Sequence, residues 1–376
     1  DSFGSKEAML ADITANILSN RGEAGLLDLN INQTQKMLWA QAFSVGLKQY
    51  GYFSIVAVPK ETQTLDEAKD MVLEQLELIK KGDFPDWILP AIINDFKIQR
   101  LKGLETADGL ATNLYDTYIK GRSWEQELNE MDEYESFTRE EVIDFANTFF
   151  KDNYVVVYKE KGVNDQLVRV ENPGITPIKI NRDAQSDFLK EITAEKTEDI
   201  QPEFIDYEKE ILTDKVKDKK LSFVRNKYND IAQVHFIFPF GSDNDRDLGM
   251  STQLLQYLGT EDLSPEDLKK EFFKIGISND FKTTNDQLLI SLSGLEENIE
   301  KGISLLQHWM YGVKPDQEIY RQFVETVLEN RQATKKDKTR IMTALTNYTK
   351  LGSFSRYTDI ISKEELEGSN AEVFTD

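Results

Sequence analysis

The hydrophobic positions change period along the chain, and the changes mark out its elements. Over residues 6–18, Met9, Leu10, Ile13, Ile17 and Leu18 recur at helical spacing, which predicts an amphipathic helix. Two runs of strand character follow, over 37–47 and 52–59, parted by turn residues at Tyr50-Gly51. Thr64 reads as the N-cap of a helix with Met71, Val72, Leu76 and Ile79 on one face and Gly82 as its stop. Pro85-Asp86 opens a further helical stretch, and Thr138-Arg-Glu-Glu141 is a capping box before Val142, Phe145, Ala146 and Phe149. The β-branched and aromatic run YVVVY at 154–158 predicts a buried strand.

From Pro173 to about Pro202 the periodicity dissolves into a charged stretch, which reads as an interdomain linker. Strands resume over 220–225 and 232–240. Helices are expected at 247–258 and at 265–274, the second opened by Ser264-Pro265 as N-cap and N1. Strands over 277–282 and 287–292 precede a helix at 296–311, with Ile299, Ile303, Leu306 and Met310 in register, and another from Pro315. Strand, helix, short turn, Pro-Asp, helix thus occurs twice, offset by about 230 residues. Either this is one α/β unit in two copies, or two unrelated α/β segments share an outline. The fold class is α+β, with helices packed on one face of a mostly antiparallel sheet.

Composition narrows the chemistry. The net charge of −22 would repel a phosphate backbone, so nucleic acid is excluded as a partner. The absence of cysteine removes disulfides, thiolate metal sites and a cysteine nucleophile, and it fits cytoplasm and periplasm alike. No apolar run approaches the ~18 residues of a membrane span. The N-terminus has no signal-peptide pattern and starts within a helix, as a fragment or processed chain would. No glycine pair forms GxG, and neither GxxxxGK[ST] nor GxSxG occurs. The only histidines, His235 and His308, lie in apolar contexts that predict core packing. The series Asp243, Asp245, Asp247 suggests a calcium loop, but Leu248 and Leu254 occupy the positions that need Gly and Glu. Those carboxylates are better placed as partners of a helix N-terminus.

Three stretches nevertheless resemble one family, the M16 zinc metallopeptidases of the pitrilysin and insulin-degrading-enzyme type. Residues 5–32 look like its helix, glycine turn and following short helix, with Gly25-Leu26-Leu27-Asp28-Leu29 at the turn. Residues 258–294 resemble the segment after its metal-binding helix. There Gly276, Asn279 and Thr283 match the family's pattern, and Asp280 replaces a small residue. Residues 321–340 are similar to the helix that carries its third zinc ligand.

The resemblance implies two domains of the LuxS/metallohydrolase type. Residues 1–172 look like a second domain without its opening strands, 173–205 like the linker between two halves, and 206–376 like a third, inactive copy. The family's HxxEH helix places two His on one face and a Glu as general base. Here those positions carry Thr252, Leu255 and Gln256, with Glu329 at the downstream acidic position, so no metal is expected in this segment. Zinc is expected in the first domain of a parent protein. The family's peptide-anchoring turn falls on Gly22, Ala24, Gly25 and Leu26. The expected partners are a peptide and either the remaining domains of the same chain or a separate catalytic subunit. In the first case the chain is the non-catalytic chamber of a peptidase; in the second it is an inactive scaffold or regulatory subunit.

Overall fold

Ser5 accepts a hydrogen bond from the Ala8 amide and so caps α1, Lys6–Leu18. The apolar stripe of that helix is almost wholly buried, from Met9 to Leu18, and it is the centre of the first hydrophobic core. These elements are seen in a computed structural model that describes residues 3–160, 162–163, 171, 174, 176–196, 198–199, 201–355 and 357–375.

Strands β1, Trp39–Gly46, and β2, Gly51–Val58, form an antiparallel hairpin paired from Trp39↔Val58 to Gly46↔Gly51. Helix α2, Leu65–Lys81, starts at a reciprocal capping box between Thr64 and Glu67 and stops at Gly82, whose φ is +70°. That positive φ is the left-handed region that favours glycine. Helices α3 (Ile88–Gly103), α4 (Ala107–Lys120), α5 (Trp124–Ser136) and α6 (Arg139–Phe149) follow. The expected capping box at Thr138–Glu141 opens α6.

Residues 1–155 and 228–376 form one compact unit and residues 156–227 another. The smaller unit holds α7 (Asp187–Ala194), the single turn α8 (Tyr207–Glu210) and a hairpin of β3 (Leu212–Val216) with β4 (Lys219–Phe223). None of its described residues is buried. The run 154–158, expected to be a buried strand, is assigned to no strand, and Val155 and Val157 are 89% and 85% exposed. Strand-forming composition supplies the preference, but only packing against other apolar groups supplies the burial. Pro173 lies outside the described residues. The stretch up to Pro202, read as lacking periodicity, contains α7, capped by Ser186 with Phe188, Leu189 and Ile192 exposed.

Within the larger unit, β5 (Ile231–Phe238) precedes α9 (Leu248–Leu255) and α10 (Pro265–Lys274). The hairpin of β6 (Ile277–Thr283) and β7 (Leu288–Leu295) leads directly into α11 (Glu296–Gly312). Helices α12 (Gln317–Thr334), α13 (Lys338–Leu351) and α14 (Lys363–Gly368) complete it. The sheet is antiparallel in the order β5-β7-β6. Alternate residues of β7, Leu288, Ile290 and Leu292, face a core closed by Leu268, Phe272, Leu306 and Trp309. The Trp309 indole donates to the Leu258 carbonyl at 3.0 Å, which satisfies its one polar atom. A further core joins Leu254 and Leu258 to Tyr320, Phe323 and Val324 of α12.

The order helix, helical segment, hairpin, helix, helix therefore occurs twice: α1, the π-helical turn Asp28–Asn32, β1–β2, α2 and α3, then α9, α10, β6–β7, α11 and α12. Helix α10 links the two series: Phe272 packs into the core beneath β7, while the next residue, Phe273, packs into the first core near Trp87.

Candidate functional site

The glycine turn after α1 is held by two polar side chains. The Asn20 Oδ1 accepts from the amides of Gly22 and Ala24, both at 3.1 Å. The Asp28 Oδ2 accepts from the amides of Asn20 and Gly25, both at 3.0 Å. Asp28 begins a five-residue π-helical turn, Asp28–Asn32, that continues the helical backbone from Leu26. Burial raises the Asp28 carboxyl to about 6, against the lowering effect of the two amides; Glu23 adds to the rise and Lys269 opposes it.

The residues predicted to anchor a peptide are thus brought together, but tightly enclosed. Ala24 and Leu26 are buried in the first core. A Cβ on Gly25 would lie 2.3 Å from the Leu18 carbonyl oxygen, and one on Gly22 would lie 2.4 Å from the Phe273 ring. Both positions therefore need glycine for close approach. The amides of Gly22, Ala24 and Gly25 are all engaged within the turn.

The neighbouring edge of β1 is partly covered as well. Asn32 bonds both the amide and the carbonyl of Ala40, at 2.9 and 2.8 Å, and Ser19 Oγ accepts from the Ala42 amide at 3.1 Å. Beyond Ala42 the strand borders a cavity of about 1040 Å³, lined among others by Phe43, Ser44, Asp12, Arg100 and Tyr134. Burial raises Asp12 above the usual carboxylate range, although Ser44 and Tyr134 both hydrogen-bond to it.

Thr252, Leu255 and Gln256 lie at the C-terminal end of α9. The Thr252 hydroxyl is 3.2 Å from both the Gly249 carbonyl and the Thr283 hydroxyl. Leu255 packs against the core beneath β7. Gln256 is the C-cap of α9, and its carbonyl accepts from Gln33 Nε2 at 3.3 Å. A leucine on an apolar core and an engaged threonine hydroxyl do not fit the donor set zinc requires. Glu329, on α12, lines a separate cavity of about 1100 Å³ together with Met250 and Gln253, while Thr252, Leu255 and Gln256 are not among its lining residues. Its Oε2 is shut off from solvent without a hydrogen-bond partner among the described residues. Its carboxyl is raised by desolvation, with Lys60 opposing and Glu325 and Glu61 adding to the rise. Among the described residues no three His, Asp or Glu side chains converge as a metal site.

Neither histidine is in the core, contrary to the sequence reading. Val234 and Phe236 take the inward positions of β5, so alternation turns His235 outward, where Nδ1 lies 2.8 Å from Ser291 Oγ. His308 is 44% exposed on the surface of α11, with Nε2 2.8 Å from Asp262 Oδ1. The polar locks Asn20, Asp28 and Asn32 were not singled out by the sequence reading. In the sequence they are only three of several polar residues, Glu23 and Asn30 among the others, on either side of Gly25-Leu26-Leu27.

No family model matches the sequence, and no curated protein does. Solved structures similar to the chain include pitrilysin, at 15% identity over 100% of this chain and 42% of that one, with a TM-score of 0.49. They also include the periplasmic protease PqqL from Escherichia coli, at 12% identity over 98% of this chain and 42% of that one, with a TM-score of 0.39. A third is a mutant of the ferredoxin protease FusC in complex with Arabidopsis ferredoxin, at 12% identity over 100% and 44%, with a TM-score of 0.40. The chain spans less than half the length of each. Among the described residues no helix is long and apolar enough to cross a membrane.

Proposed function

We propose that residues 1–376 form the non-catalytic part of the substrate chamber of an M16-type zinc metalloendopeptidase, a segment that confines and positions peptides without cleaving them. The observation that carries this reading is α9. It stands first in the second helix, helix, hairpin, helix, helix series, and carries Thr252, Leu255 and Gln256 where two zinc ligands and a general base would be. On this reading 1–172 is a second domain, 173–205 the linker and 206–376 an inactive third domain, with zinc held in the first domain of the parent protein. The partners are the peptide and the remaining domains or a catalytic subunit. The peptide would meet the half-buried stretch of β1 that borders the cavity beside the Gly22–Leu26 turn, and the charge of −22 favours basic peptides.

The purified chain is expected to bind no stoichiometric zinc by elemental analysis and to leave unfolded peptides intact. Gln256→Ala is expected to change neither result. Zinc-dependent hydrolysis abolished by that substitution would overturn the reading. An HxxEH in the coding sequence of the parent protein supports it, whereas the same motif found only in a separate subunit favours the scaffold or regulatory role.

A further inference from the structure

Helix α12 brings a carboxyl and a guanidinium to the cavity of about 1100 Å³, and neither is paired with an opposite charge among the described residues. Glu329 and Arg331 both line it. They stand two positions apart on the helix, a spacing at which side chains do not face each other. The Glu329 Oε2 is shut off from solvent and accepts no hydrogen bond. The cation that bears on it, Lys60, has its Nζ 3.9 Å from Glu325 instead. Arg331 donates to the Ile361 carbonyl at 2.7 Å, and burial lowers its guanidinium with no carboxylate to offset the effect. Desolvated charges of both signs are costly to leave without counter-charges.

The other cations of the cavity are occupied or wet. Arg321 pairs with Glu318 and Lys363 with Glu367, while Lys335 and Arg340 are exposed. Val324 and Leu328 on α12, Leu366 on α14 and Ile341 on α13 supply apolar wall. On α9, Gln253 spends Nε2 on the Gly249 carbonyl at 2.9 Å, so the atom left to offer the cavity is the acceptor Oε1. One wall is loosely held: α13 contributes Ile341 and Ala344, yet none of its residues is buried. The volume stands near the upper limit of small-ligand sites, which run roughly 300–1,000 Å³.

We propose that this cavity binds a short apolar peptide by its two ends, the amino terminus on Glu329 and Gln253 and the carboxyl terminus on Arg331. An ammonium is a donor alone and meets the two acceptors, while a carboxylate meets the guanidinium fork. The apolar wall takes the side chains between the ends. A free amino acid carries both charges on one carbon and does not span two side chains that diverge from one helix, whereas a peptide of a few residues does. The site shares no lining residue with the cavity beside β1. It is therefore separate from the substrate stretch proposed above and does not depend on that reading.

The test titrates the chain with Leu-Leu-Leu by isothermal calorimetry, alongside the N-acetyl and C-amide forms of that peptide and free leucine. The expected result is saturable binding, weakened ~10-fold or more by blocking either end and weaker still with leucine. Glu329→Gln should erase the penalty of acetylation while keeping that of amidation, and Arg331→Gln should do the reverse. Circular dichroism checks the fold of both variants, and Glu329→Gln, which keeps the side-chain shape, decides the matter if Arg331→Gln unfolds. Saturating Leu-Leu-Leu should also slow hydrogen exchange in α13. The proposal is overturned by a lack of saturable binding, by equal binding of free and blocked peptides or of leucine, or by unchanged affinity in Glu329→Gln. Binding that leaves α13 unprotected overturns it as well.

Discussion

Asp28 couples the candidate anchoring turn to pH. Its folded value of about 6 lies above the usual 3.8, so between those values the folded chain keeps a proton that the unfolded chain has released. The stabilisation is complete below the unfolded value and is lost as pH rises through about 6, by ~3 kcal/mol at most. Unfolding stability measured from pH 4 to 7 should carry that downward component, and Asp28→Asn should flatten it; an unchanged slope would refute the assignment. Gly25→Ala tests the close approach. Its Cβ would meet main-chain atoms of Leu18 and Ser19 rather than a side chain that can swing away, so a loss of ~2–4 kcal/mol is expected in denaturant titration. Both effects hang on residues whose types were readable in the sequence but whose pairing was not. Asn20 and Asp28 are eight positions apart, and only the folded turn brings an Asp28 oxygen to the amides of Asn20 and Gly25.

At the scale of elements, local chemistry was largely legible. The caps Thr64 and Thr138 and the stop at Gly82 depend on side chains within three or four residues, and they stand where the spacing puts them. Thr64→Ala and Thr138→Ala should each cost ~1 kcal/mol, additively, since the caps serve different helices. Leu292→Ala, in the strand flanked on both edges, should cost ~2–5 kcal/mol. What stayed illegible depended on distant partners. YVVVY has strand composition, yet Val155 and Val157 are exposed because burial requires neighbours that local composition does not provide. The apolar neighbours of His235 predict core packing, but they alternate along β5, so Val234 and Phe236 face the core and His235 faces outward.

Across the whole molecule, the repeated order of elements was visible as a repeated sequence pattern, but the contacts between the two series were not. Gln33 reaches the Gln256 carbonyl, Thr326 donates to Gln35, and Lys269 pairs with Glu23. The unit 156–227 has no buried residue among those described, so limited proteolysis should cut first between 173 and 205, within that unit, before any site in the larger one. Early cuts in α1–α6 or α9–α12 would contradict the proposed boundaries.

The adjacent phenylalanines of α10 have a consequence for how the larger unit comes apart. Phe272 and Phe273 occupy one helix but belong to different cores, so neither core can loosen α10 without withdrawing a ring from the other. The two series should therefore melt as one calorimetric transition, and Phe273→Ala should split or broaden it. A shared helix would then set the cooperativity of a molecule whose sequence reads as two separable pieces.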